Sequence, residues 1–165
     1  MDACSHTHIA PEALAAESLD AALADAADCC AASGERLTPA RRRVLELLLR
    51  AGQPAKAYDL IAAFGEDGAA AKPPTVYRAL DFLSRQGFVH RIESLNAYMA
   101  CHLGERDHAA AFLICTCCGA TEEIEPFAPE RVQAQAKASG YVLSAVMVEA
   151  QGLCPACAPA AGVAD

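Results

Sequence analysis

Two pairs of cysteines have the spacing of metal-binding knuckles. Cys115 and Cys118 are separated by two residues, and so are Cys154 and Cys157. Two intervening residues let both sulfur atoms reach one ion from a tight turn, and two such turns supply a closed tetrahedral shell of four thiolates. This shell suits structural zinc. Because 35 residues separate the two pairs, the ion is expected to join the two ends of one small α/β unit.

A third cysteine, Cys117, complicates the choice of ligand in the first knuckle. Gly119 directly follows Cys118, and glycine permits the tight backbone that a zinc knuckle needs. We therefore favour Cys118 over Cys117 as the partner of Cys115. The competing interpretation is a redox dithiol, but such proteins usually carry a single pair at a strand–helix junction, so two pairs favour zinc.

The remaining potential ligands are scattered along the chain. His90, Cys101, His108 and Glu123 could form a second metal site, but their spacing alone is weak support, and His102 is an equally good candidate by composition. Each has an ordinary alternative as an exposed histidine or glutamate or a buried cysteine.

Other cysteines and histidines lie near the amino terminus. Cys4, His6 and His8 are typical of a flexible tail that binds metal weakly, whereas Cys29 and Cys30 fall in or near a helix and are expected to act as small apolar packing residues.

The nine cysteines also bear on the cellular compartment. The opening residues Met1-Asp2-Ala3-Cys4 lack the basic region and apolar run of a signal peptide. No segment approaches the roughly 20 apolar residues that span a bilayer. We therefore expect a cytoplasmic protein without membrane contact, in which grouped thiols bind metal rather than form disulfides.

Charge is strongly segregated along the chain, whose net charge is −8. Residues 36–91 hold ten Lys and Arg against five acids, whereas residues 1–35 hold seven acids and no Lys or Arg, and residues 92–165 hold nine acids against three Lys and Arg. A basic block between acidic ones is typical of a DNA-binding module. The alternative is a solvated helical face, which charge alone does not exclude.

The basic block has the element order of a winged helix-turn-helix. Apolar periodicity predicts helices over 10–33, 39–51, 55–64 and 73–86, and two short strands follow over 88–92 and 97–101. Thr38 is suited to cap the second helix, Pro39 to its first turn, and Gly52 to its end. The last helix would enter the major groove, and the hairpin would form the wing.

The pattern changes after residue 103. Strands are predicted over 111–115, 121–125 and 141–149, with a helix over 129–138. The chain is therefore predicted to be an α+β protein with a small C-terminal α/β unit. Because the last strand is apolar on both faces, one face is expected to require a partner chain.

Several stretches together resemble the ferric uptake regulator (Fur) superfamily. They run from about residue 36 to 157 and include Leu37–Arg41, Lys72–Leu83, Gly87–His90, Ser94–His102, Ile114–Gly119 and Gly152–Cys157. The Lys-Pro-Pro-Thr-Val-Tyr-Arg-Ala-Leu-Asp-Phe-Leu stretch and the metal-site residues are most similar to the zinc uptake regulators of that superfamily. Iron- and peroxide-responsive members usually carry a His-His-Asp-His cluster before the first knuckle, where this chain reads Arg106-Asp107-His108 and then alanines.

The resemblance implies a homodimeric repressor that binds inverted-repeat operators and silences zinc-uptake genes when zinc is plentiful. It implies two Zn2+ ions per chain, one structural and one regulatory. The structural ligands would be Cys115, Cys118, Cys154 and Cys157, and the regulatory ligands His90, Cys101, His108 and Glu123. DNA contacts would come from Tyr58, Lys72, Thr75, Tyr77 and Arg78.

The implied domains are a winged-helix DNA-binding domain over 1–92 with an N-terminal helix, a hinge over 93–98, an α/β dimerisation and metal-binding domain over 99–157, and a disordered tail over 158–165. One thiolate, two imidazoles and one carboxylate form a donor set that suits tetrahedral zinc. An ion held by all four would clamp the hinge.

The sequence also has to be compared with three functions other than zinc-responsive repression. The chain could sense iron, manganese, nickel or peroxide, or it could act as a redox switch through Cys117 or the knuckle cysteines. An enzyme with a small-molecule substrate is not expected, because the chain lacks a His-Glu-x-x-His motif and a closed four-ligand shell leaves no open position for water.

Overall fold

A computed structural model describes residues 16–65, 72–101, 109–125, 128–143 and 146–158. Its helices are α1 (Ala16–Ala32), α2 (Pro39–Ala51), α3 (Ala57–Phe64), α4 (Pro73–Arg85) and α5 (Pro129–Ala138). Its strands are β1 (Val89–Ile92), β2 (Ala97–Ala100), β3 (Ala110–Cys115), β4 (Thr121–Ile124) and β5 (Met147–Gly152). The chain divides into two compact units, so that the described residues up to Cys101 belong to the first and those from Ala109 onward to the second. None of the described helices is both long and apolar enough to cross a membrane.

Helix α2 is delimited by local signals on both sides. The Thr38 hydroxyl accepts a hydrogen bond from the Arg41 backbone N–H, and Pro39 occupies the first turn. At the other end Gly52 adopts φ of 60°, and its N–H donates to the Leu48 carbonyl. This left-handed conformation costs glycine little because it has no Cβ. The predicted bounds of this helix, 39–51, are therefore those observed.

The core of the first unit lies between α2 and α4. Both helices turn an apolar stripe toward each other, as their amphipathic patterns predict. The buried side chains of α2 are Val44, Leu45, Leu48 and Leu49, and those of α4 are Val76, Ala79, Leu80, Phe82 and Leu83. Helix α1 adds Leu19, Leu23, Ala26 and Cys30 to the same cluster, as expected for Cys30. This unit therefore has a hydrophobic core of its own.

The hairpin of the first unit forms the wing. Strands β1 and β2 pair antiparallel, with Val89 opposite Ala100 and Ile92 opposite Ala97. The turn between them ends at Asn96, whose φ is 47°, a conformation that asparagine tolerates better than most residues. The segment predicted as a hinge, 93–98, consists of this turn and the first two residues of β2.

The second unit is a three-stranded sheet in the order β4-β3-β5. Strand β3 pairs antiparallel with β4 and parallel with β5. The prediction of a strand over 141–149 was wrong at both ends. The register Ala110↔Met147 to Cys115↔Gly152 sets the limits of β5, because only residues that lie opposite β3 find ladder partners. The predicted tail 158–165 lies outside the described residues except for Ala158.

The second unit leaves much apolar surface uncovered. Helix α5 buries none of its residues, and its bounds, 129–138, are those predicted. Large apolar side chains are exposed after α5 and on β5, including Tyr141, Val142, Met147 and Val148. Contiguous exposed apolar surface marks sites of protein association, so the need for a partner chain that the sequence indicated follows also from this surface.

The core assignment of the first unit predicts a contrast between two adjacent leucines. Leu48 is 1% exposed, whereas Leu47 is only partly buried at the edge of the cluster. Leu48→Ala is expected to lower the free energy of unfolding by about 2–5 kcal/mol, because it leaves a cavity. Leu47→Ala is expected to cost clearly less. Urea unfolding of both variants followed by circular dichroism measures the difference, and equal losses would contradict the assignment.

Candidate metal centres and nucleic-acid interface

Four cysteine sulfurs converge in the second unit. The Sγ atoms of Cys115, Cys118, Cys154 and Cys157 all lie within 4.8 Å of one another. The Sγ atoms of Cys118 and Cys154 are 3.8 Å apart. Cys115 and Cys157 are buried, and the other two are half-buried. Four thiols at these separations match the edges of a tetrahedron around a single ion with Zn–S bonds of about 2.3 Å.

The backbone holds the two knuckles against each other. Cys115 ends β3, and β5 ends at Gly152 beside it. The backbone N–H and the hydroxyl of Thr116 both donate to the Gly152 carbonyl, at 2.8 and 3.1 Å. Gly119 turns the chain with φ of 78°, and its N–H donates to the Cys115 carbonyl. The parallel pairing of β3 and β5 therefore brings the two pairs of cysteines together.

The protonation preferences of these thiols differ. Burial opposes ionisation of Cys115, but backbone N–H groups, including that of Cys154 with N···Sγ of 3.3 Å, outweigh it and lower its pKa to about 6. Burial raises the pKa of Cys157 above its usual range, and the adjacent thiols add to the rise. Cys115 thus ionises more readily than Cys157, and a bound cation would favour the thiolate form of its sulfur ligands.

Cys117 stands apart from this cluster. Its sulfur is disulfide-bonded, and it is not among the four converging thiols. The glycine that follows Cys118 correctly indicated which cysteine of the first knuckle faces the other pair.

Two of the predicted regulatory ligands meet in the wing of the first unit. His90 lies on β1 opposite Met99, and Cys101 directly follows β2. The Cys101 N–H donates to the Phe88 carbonyl at 2.9 Å, which extends the hairpin ladder to Cys101. The ligand atoms of His90 and Cys101 lie within 4.8 Å of each other, so one ion could bind both.

The other two predicted regulatory ligands are not in the wing. Glu123 is half-buried on β4 of the second unit, opposite Phe112. His108 lies outside the described residues, as do His102 and the N-terminal Cys4, His6 and His8. Cys29, on α1, is half-buried beside the core residue Cys30.

The predicted DNA contacts lie on two helices of the first unit. Tyr58 on α3 is 78% exposed, and Tyr77 on α4 is 52% exposed. Lys72 is the N-cap of α4, and both it and Arg78 are exposed, whereas Thr75 is half-buried. Because the core stripe of α4 occupies its other side, α4 presents a basic and aromatic face of the kind that contacts DNA.

Part of the basic block has a structural role instead. On α2 the carboxylate of Glu46 lies 3.2 Å from Arg43 and 2.8 Å from Arg50. These pairs neutralise charge along α2 itself, as the solvated-face alternative predicted. The exposed Lys72 and Arg78 are therefore stronger support for DNA binding than the overall charge of the basic block.

Comparison with known proteins gives one consistent result. Residues 32–151 match the model of the ferric uptake regulator family. The zinc uptake regulation protein of Escherichia coli K12 is 45% identical over 137 residues, which cover 82% of this chain and 80% of that protein. A solved zinc uptake regulator complexed with zinc and DNA is 42% identical, with a TM-score of 0.80 over 88% of this chain and 98% of that one. The holo form of the regulator XcZur is also 42% identical, with a TM-score of 0.76 over 85% of this chain and 99% of that one.

The four-sulfur cluster predicts opposite outcomes for two cysteines of the same knuckle. Cys118→Ser is expected to lose one zinc per chain, because a serine hydroxyl is a far weaker ligand than a thiolate. Cys117→Ser is expected to retain that zinc. Metal analysis of both variants, purified under reducing conditions with a fixed zinc supply, measures this difference. Equal zinc loss from the two variants would contradict the assignment of Cys118.

Proposed function

Since the chain belongs to the ferric uptake regulator family, we propose that it is a zinc-responsive transcriptional repressor that acts as a homodimer on operator DNA. The wing carries this proposal. His90 and Cys101 place two potential metal ligands within 4.8 Å of each other on the hairpin of a DNA-binding unit. Metal occupancy at that point would act directly on the element that binds DNA. The similarity to a regulator complexed with zinc and DNA supports the same function.

Two zinc ions per chain would have different roles. The first would bind Cys115, Cys118, Cys154 and Cys157, whose sulfurs already converge. Structural zinc sites of this type contribute about 10–16 kcal/mol in small zinc-binding peptides. That free energy is large compared with what the few buried side chains of the second unit supply, so this zinc would be needed for the fold and for the dimer that the unit forms.

The second zinc would bind His90, Cys101, His108 and Glu123. One thiolate, two imidazoles and one carboxylate provide four ligands of mixed softness, which favours tetrahedral zinc over magnesium or manganese. Since His90 and Cys101 belong to the first unit and Glu123 to the second, an ion that bound all of them would restrain one unit against the other.

Such a restraint explains how zinc could control DNA binding. A dimer that binds two half-sites must hold its two recognition helices about 34–36 Å apart, one turn of DNA. The metal-free dimer would sample many separations, and zinc would select the competent one. If that state is about 1% populated without metal, zinc must favour it by about 5.5 kcal/mol to reach 99%.

The two proposed zinc sites are typical of a regulatory protein rather than of an enzyme. Each would surround its ion with four protein ligands and leave no position for a reacting water. We therefore infer no catalytic activity. The repressor would act in the cytoplasm on inverted repeats at zinc-uptake genes.

The exposed face of α4 predicts how sequence is recognised. Arg78 is suited to bind a guanine edge in the major groove, so Arg78→Ala is expected to cost about 1–3 kcal/mol and to relax preference at one operator position. Lys72→Ala is expected to weaken all sequences alike and to flatten the salt dependence. Fluorescence anisotropy with an operator and its single-base variants distinguishes the two. Unaltered operator affinity of Arg78→Ala would contradict the assignment.

If the proposed regulatory site is correct, removing one of its ligands should abolish zinc-dependent DNA binding without affecting folding. Cys101→Ser is expected to retain the four-sulfur zinc, the dimer and the circular dichroism spectrum, but to lose zinc-dependent operator binding. The reason is that the Cys101 thiolate, bound directly to the ion, would supply much of the zinc affinity of this site. Anisotropy titrations at buffered free zinc, with zinc counting and sedimentation, measure these properties.

Cys29→Ser is the matched control, since Cys29 is also a half-buried thiol of the first unit and is not a proposed ligand. It is expected to behave as wild type. A Cys101→Ser dimer that binds operator with wild-type zinc dependence would place the sensor elsewhere.

A further inference from the structure

One arginine of α2, Arg41, contacts the ring of Phe82 on α4 and two residues of the segment before α2. The guanidinium carbon of Arg41 lies 3.3 Å from the centroid of the Phe82 ring on α4. The same guanidinium donates a hydrogen bond to the Arg36 carbonyl and lies 3.8 Å from the Glu35 carboxylate. These contacts fix the plane of the guanidinium over the ring and join the start of α2, the segment before it and α4.

The position of Phe82 gives this contact its significance. Phe82 is 2% exposed and follows Arg78 by four residues on α4. Side chains four residues apart on a helix are neighbours one turn apart, so Phe82, at the edge of the buried stripe of α4, adjoins the exposed Arg78. The ring that Arg41 covers is therefore one helical turn from the side chain proposed to read the operator, and a change in the ring's packing would tilt or shift Arg78.

We propose that Arg41 is a positioning residue for DNA recognition, which acts through Phe82 rather than by contact with DNA. This inference rests on the proposed function. The Arg41 side chain is only 26% exposed, and its guanidinium is engaged by Phe82, the Arg36 carbonyl and Glu35. A guanidinium can lie flat on an aromatic ring and donate in its own plane at the same time, whereas the ammonium of lysine cannot do both.

The expected effect concerns specificity more than affinity for DNA in general. Arg41→Met keeps an unbranched apolar side chain but removes the guanidinium. It is expected to weaken operator binding by about 3- to 30-fold, the range of a partly desolvated cation–π contact. Binding to non-specific DNA and the salt slope of operator binding are expected to stay unchanged, because no phosphate contact is lost. Arg41→Lys is expected to resemble Arg41→Met although it keeps the charge.

The ring provides the second half of the test. Phe82→Leu is expected to weaken operator binding as Arg41→Met does, and the double variant is expected to bind no more weakly than either single variant. Such non-additivity is the mark of two residues acting through one contact. Phe82→Tyr keeps the ring and is expected to restore operator binding to within about two-fold of wild type.

Arg42→Met is the matched control. Arg42 neighbours Arg41, but its guanidinium lies 4.0 Å from Asp20 on α1 and is more exposed. The Arg42→Met variant is expected to have the same ratio of operator affinity to non-specific DNA affinity as wild type.

The experiment is an anisotropy titration of full-length, zinc-loaded dimers on operator and non-specific DNA at several salt concentrations, well below each variant's unfolding temperature. The inference is overturned if Arg41→Met weakens both DNAs equally and flattens the salt slope, which would indicate a phosphate contact. It is also overturned if the variant lowers only the unfolding temperature, or if the losses from Arg41→Met and Phe82→Leu simply add.

Failure of the proposed function gives a different result. In that case the wild-type protein itself shows no zinc-dependent preference for the operator, and Arg78→Ala changes nothing. If wild type and Arg78→Ala behave as expected but Arg41→Met retains wild-type specificity, only the positioning role is excluded.

Discussion

The convergence of four thiols at one end of a small sheet is the constraint on which the second unit depends. Among its described residues the buried apolar side chains are few, and α5 contributes none. The register of β3 and β5 brings Cys115 beside Gly152 and so places both knuckles together. Without a cation, Cys115 ionises readily, whereas burial and the adjacent thiols oppose ionisation of Cys157. Under the proposed function, a zinc ion bound to the four sulfurs would cross-link the two ends of the unit.

The first unit is organised differently. Its core between α2 and α4 contains branched and aromatic side chains that are almost completely buried, so its fold does not require metal. The proposed ligands of this unit, His90 and Cys101, lie on the wing. Under the proposed function, zinc would therefore act on the second unit as a structural element and on the first as a signal. Zinc could have a structural role at one site and a signalling role at the other, because the two sites differ in their ligands. They also differ in how well the surrounding unit is stabilised by its own core.

Local signals explain which features the sequence predicted. Thr38 and Gly52 delimit α2, and the two-residue spacing identified the knuckles, because in each case the determining residues are close in sequence. The ends of β5 were mispredicted, because strand limits depend on pairing with β3. The contact of Arg41 with Phe82 was missed for the same reason, since it joins residues far apart in the chain. The scattered regulatory ligands were suggested only by resemblance to a family, and spacing alone would not have selected them.

Under the proposed function, zinc rather than another metal makes the dimer competent to bind DNA. The most direct measurement is operator binding by the wild-type protein titrated against buffered free zinc, with iron(II) and manganese(II) in parallel under reducing conditions. The account predicts that binding rises with free zinc while the four-sulfur zinc stays bound throughout, and that iron and manganese do not replace zinc at matched free concentrations. Operator binding that is independent of free zinc, or that iron or manganese activates in its place, would contradict it.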